Sequence, residues 1–75
     1  MTQPTITDTI TVTVNGDAQQ VAAGSTVADL VASMDLAGRR VAVECNLEIV
    51  PKAAHASTRL QAGDVLEIVH AIGGG

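Results

Sequence analysis

Residues Thr9–Met34 read TITVTVNGDAQQVAAGSTVADLVASM, and two hydrophobic periods meet inside that stretch. Thr9 to Val14 alternates threonine with Ile10, Val12 and Val14, the two-residue period of a strand with one face in a core and one in water. Asn15-Gly16 follows, and both residues tolerate the positive φ of a type I′ hairpin turn. A return strand is therefore expected around Ala18 to Ala22, weakened by its two glutamines. After Gly24 the period changes. Val27, Leu30, Val31 and Met34 fall at i, i+3, i+4 and i+7, one stripe of a helix. Ser25 or Thr26 can accept bonds from the first free helix amides, and Asp29 stands where a capping-box acid would. Gly38 is the expected stop. Hairpin followed by helix is the beginning of an α+β fold.

The remainder supplies strands for that helix to cover. In VAVEC, Val41 to Cys45, the residues Val41, Val43 and Cys45 share one face and Ala42 and Glu44 the other. A short strand near Glu48 to Val50 stops at Pro51, which has no amide for a ladder. Lys52 to Arg59 reads as a connection containing one helical turn. A turn through Gly63-Asp64 leads into VLEIVHAI, with Leu66 and Ile68 inward and Val65, Glu67 and Val69 outward. The order predicts a mixed sheet of four or five strands with one main helix packed on one face. Its expected core is Ile10, Val12, Val14, Val27, Leu30, Val31, Met34, Val41, Val43, Leu66 and Ile68. Residues 9–72 form the domain in this reading, between a flexible segment 1–8 and a flexible tail 73–75.

Composition narrows the function. The 75 residues allow one small domain, and Phe, Tyr and Trp are all absent. Aromatic platforms for single-stranded nucleic acid are therefore missing. Four Lys+Arg against eight Asp+Glu give a net charge of −4, which offers no footprint for phosphate backbones. An acidic domain is steered instead toward basic protein surfaces. The single cysteine, Cys45, has no internal disulfide partner, and its parity with Val41 and Val43 makes it a small core residue. Cys45, His55 and His70 lack the spacing of a zinc site. No apolar run is long enough to span a membrane, and the polar, Thr-rich start does not resemble a signal peptide. A cytoplasmic protein is expected.

The ending HAIGGG, His70 to Gly75, is the one stretch that packing does not explain. Three glycines have no side chain to bury and the largest backbone freedom. Extended, they reach about 10 Å and could thread a channel that any side chain would block. At their end is a carboxylate with an ordinary pKa of about 3.5, ionised at neutral pH and open to activation by ATP as an acyl-adenylate. His70 reads as an outward polar neighbour of that tail or a spacer. Val65, Val69 and Ala42, apolar with outward parity beside it, are the candidate docking residues.

VAVECN, IVP and above all LQAGDVLEIVHAIGGG resemble the ThiS sulfur carriers of thiamine biosynthesis, which are ubiquitin-like β-grasp proteins ending in Gly-Gly. The resemblance runs from about Ile10 to Gly75, with NG and AAGSTVADLV matching the first hairpin and helix. It implies a carrier rather than an enzyme, without a bound cofactor or metal and monomeric when free. An E1-like adenylyltransferase would activate the Gly75 carboxylate with ATP. Sulfur from a cysteine desulfurase relay would displace AMP and leave a thiocarboxylate for thiazole synthase. Gly75 then carries the sulfur, Gly74 is the second family glycine, and Gly73 is an additional one. The small subunit of molybdopterin synthase shares the fold and tail chemistry, though it tends to have aromatic or proline residues before the glycines. A ubiquitin-like modifier, joined to lysine by an isopeptide bond, and a plain interaction module remain as further readings.

Overall fold

The structure, a computed structural model, describes residues 8–70. The segment before Asp8, the last two residues expected in the final strand (Ala71 and Ile72) and the glycine tail Gly73–Gly75 lie outside the described residues. The elements are β1 (Thr9–Val14), β2 (Asp17–Ala22), α1 (Val27–Ser33), β3 (Val41–Cys45), β4 (Glu48–Val50), a 3₁₀ turn (Lys52–Ala54) and β5 (Val65–His70). They build one five-stranded sheet in the order β2-β1-β5-β3-β4. The first and last strands lie side by side in the centre and run parallel, while every other pairing is antiparallel. This is the ubiquitin-like β-grasp.

The hairpin forms where Asn15 and Gly16 both take positive φ, 51° and 89°. Asn15 also works beyond its turn. Its amide oxygen accepts from the Ile68 amide at 2.8 Å and its nitrogen donates to the Ile68 carbonyl at 3.1 Å. The side chain thus mimics a strand peptide and extends the β1–β5 ladder. Asn46 does the same on the other flank of β5, accepting from the Val65 amide at 3.0 Å and donating to the Asp64 carboxylate at 3.0 Å. Two asparagines in left-handed turns therefore brace the central strand.

Thr26 is the helix cap: its hydroxyl accepts from the Asp29 amide, and the Asp29 carboxylate accepts from the Thr26 amide. The other two free amides of the first turn are met from a distance, Val27 by the Thr58 carbonyl and Ala28 by the His55 carbonyl, both at 2.9 Å. Gly38 does not stop the helix, contrary to expectation. The chain leaves it at Met34, with Asp35 left-handed at φ 65°. The Leu36 amide bonds back to the Val31 carbonyl and the Asp35 amide to that of Ala32, the paired bonds of a Schellman ending. The physical reason is Leu36, which turns back to pack against the core, so the exit precedes the glycine.

The core comprises Val12, Val14, Val27, Leu30, Val31, Val43, Val50, Leu60, Leu66 and Ile68. Eight of these are among the expected residues. Ile10, Met34 and Val41 instead pack half-buried at its margin, because they sit at element ends where fewer neighbours cover them. Val50, Leu60 and His55 are the additions. His55 is a buried histidine whose Nε2 lies 3.1 Å from the Val50 carbonyl. The 51–60 connection folds against the start of α1, sealed by the Leu60 amide on the Ser25 carbonyl at 2.8 Å. Cys45 is half-buried rather than a full core residue, being the last residue of β3 where the sheet gives way to the Asn46-Leu47 turn.

Candidate functional site

All five strands turn their alternate residues away from α1, and that uncovered face holds the docking candidates. Val69 on β5 and Ala42 on β3 are direct register partners. Val65 lies four residues before Val69 on the same side of β5. Val65 is 50% exposed and Val69 is 65% exposed, and Ala42 is exposed as well. The register adds residues that sequence alone does not bring together. Glu67 stands opposite Glu44, and Glu44 stands opposite Ile49 on β4, itself 74% exposed. Outward parity was legible for Glu44 and Glu67 singly; their pairing required the alignment of β3 with β5.

The end of β5 leads toward the tail. Around it Arg40, Val41, Ala42, Lys52, Val69 and His70 line an open groove of about 450 Å³, which gathers two of the chain's four Lys and Arg residues. His70 is not the outward neighbour expected. It pairs with Val41, shares the parity of Leu66 and Ile68, and is half-buried. Its Nδ1 is buried with no hydrogen-bond partner among the described residues. The distance from His70 to the end of Gly75 is bounded by covalent geometry at about 18 Å for five extended residues. Whatever acts on Gly75 must therefore approach this end of the sheet.

The other chemically capable groups stand apart from that end. Burial raises the Cys45 thiol above its ordinary pKa, and the nearby Asp64 carboxylate, by charge and hydrogen bond, adds to the rise, with a smaller contribution from Glu48. A thiol held neutral is a poor nucleophile and a poor metal ligand. Among the described residues no group of three or more His, Cys, Asp or Glu is placed to hold a metal ion, and no helix is long and apolar enough to cross a membrane.

A family model described as the ThiS family matches residues 12–75. The chain belongs to the ThiS family. Among ThiS relatives, the sulfur carrier protein ThiS of Bacillus subtilis is 46% identical over 50 residues, covering 67% of this chain and 76% of that protein. A thiazole synthase of Paramagnetospirillum magneticum is 47% identical over 62 residues, and one of Magnetococcus marinus is 38% identical over 61. This chain spans only 19% of the length of each of these two synthases. In three dimensions it matches the crystal structure of the thiamine biosynthesis protein ThiS of Geobacter metallireducens. That match has a TM-score of 0.73 at 32% identity, covering 88% of this chain and all of the other.

Proposed function

We propose that this ThiS-family chain is a sulfur carrier of thiamine biosynthesis and that the sulfur travels on Gly75. The observation that carries the reading is the family match, which runs through the last glycine. The domain is a handle and a recognition surface rather than a catalyst. An E1-like adenylyltransferase activates the Gly75 carboxylate: a carboxylate oxygen attacks the α-phosphorus of ATP and pyrophosphate leaves. The outer sulfur of a persulfide from a cysteine desulfurase relay then displaces AMP to give an acyl disulfide. A second thiol cleaves its S–S bond, releasing the thiocarboxylate and forming a disulfide. The thiocarboxylate donates its sulfur to thiazole synthase for the thiazole ring. The names of the two long relatives support that acceptor. Val65, Val69 and Ala42 serve as contact residues, since they are apolar and exposed on one face, with Val69 and Ala42 beside His70 at the tail's origin and Val65 at the far end of β5. Gly73 and Gly74 let the carboxylate enter a channel too narrow for side chains.

ATP–pyrophosphate exchange with the cognate adenylyltransferase tests the reading. One residue added after Gly75 moves the carboxylate some 3.5 Å from the phosphorus it must attack, and misplacement of about 1 Å can already cost a hundredfold. Gly74→Val places a β-branched side chain in the channel. Both changes should abolish exchange while thermal melts stay at the unmutated value. Normal exchange by the extended protein would contradict the assignment of Gly75.

A further inference from the structure

Glu44 and Glu67 face one another across adjacent strands, an arrangement that ordinarily destabilises a sheet. Neither carboxylate makes a hydrogen bond or ion pair among the described residues. The chain's four cations lie around this face rather than on the pair. Arg40 and Lys52 line the groove at the end of β5 together with Ala42 and Val69, Arg59 lines a groove with Ile49, Cys45 and Asp64, and Arg39 lines one beside α1. The pair is instead bordered by exposed apolar side chains. Val65 and Val69 lie two residues to either side of Glu67, Ala42 lies two residues from Glu44, and Ile49 stands across from Glu44 on the edge strand. An uncompensated pair of like charges inside an apolar border is complementary to one kind of surface, a cation set in an apolar patch.

We propose that this face receives an arginine of a partner protein between Glu44 and Glu67, with Val65, Val69, Ala42 and Ile49 excluding water around it. A guanidinium has donors on two edges and can serve carboxylates from both strands at once, which an ammonium does less well. Covering the apolar border strengthens the charge-assisted bonds by lowering the local dielectric. The position also fits, because Glu67 lies three residues before His70 on β5 and the tail is at most about 18 Å long from His70, so a protein acting on Gly75 and covering this face reaches the pair. The identity of the partner rests on the carrier reading and is taken to be thiazole synthase.

The test is calorimetric titration of the full chain with the thiazole synthase of the same organism, at low and at physiological salt. The variants are Glu44→Gln, Glu67→Gln and the double substitution, each with its own thermal melt. Glutamine keeps the shape of the face and removes the repulsion, so melting temperatures should hold or rise. Affinity should fall about tenfold or more in the double variant, and most of the salt dependence of binding should vanish with it. Tight binding by the unmutated chain, with the double variant equal to it in affinity and salt dependence, would overturn the inference and leave the carrier reading intact. Failure of the unmutated chain to bind thiazole synthase would overturn the partner reading, and the arginine contact with it.

Discussion

Cys45 shows how strongly one residue's chemistry depends on its position along a strand. Its parity with Val41 and Val43 marks it as inward, and the structure places it half-buried where β3 ends. Burial first, and then the Asp64 carboxylate, raise its thiol above the ordinary value, so it stays protonated at neutral pH. Alkylation by iodoacetamide should be slow there, and its rate should climb only above the pH at which a free thiol ionises. A half-maximal rate below the free-thiol pKa would contradict this environment. The linkage sign follows from the same shift. The folded state holds the proton more tightly, so stability is lost as pH rises from the unfolded pKa through the higher folded one. His55 illustrates the reverse limit of sequence reading. As a lone imidazole it offers ligand chemistry, yet its ring is buried against the Val50 carbonyl, and its own carbonyl caps the helix. Nothing local in KAAHAST announces that long-range docking.

At the scale of elements, legibility followed locality. The β1–β2 hairpin, the Thr26–Asp29 capping box and the apolar stripe of α1 are each written within a few neighbouring residues, and each forms as read except for Met34, which falls at the C-cap and is half-buried. The helix end was not legible, because Gly38 is the better left-handed residue intrinsically. The burial of Leu36 instead forces the reversal at Asp35. The seat of Leu60 and Val50 in the core likewise depends on the 51–60 connection lying over the start of α1. For the uncovered face, parity identified which side chains point outward, but the register that opposes Glu44 and Glu67 is a property of two strands more than twenty residues apart. The helix carries the firmest energetic prediction. Leu30 is 1% exposed and among the largest fully buried side chains, so Leu30→Ala should destabilise by about 2–5 kcal/mol in denaturant melts. Thr26→Ala, which removes one reciprocal half of the cap, should cost about 1 kcal/mol. A loss under about 1 kcal/mol for Leu30→Ala would contradict the packing of α1 against the sheet.

For the whole molecule, the proposed carrier role separates stability from function. α1 and the inner faces of the strands hold the fold, while the outer faces of β3, β4 and β5 are open and converge on the strand that leads to the glycines. The first strand pairs with the last, so β5, the strand that leads to the tail, lies inside the sheet rather than at a free edge. A substitution such as Leu30→Ala should therefore lower stability and transfer together, whereas Gly74→Val should affect transfer alone. The most direct test of the central claim is the intact mass of the protein isolated from its own cells during thiamine synthesis. It also reads whether Gly75 is the last residue. The account predicts a species heavier by one exchange of oxygen for sulfur, located by fragmentation to the Gly75 carboxyl. Gly75 bearing only oxygen, or joined to lysine in larger conjugates, would contradict it.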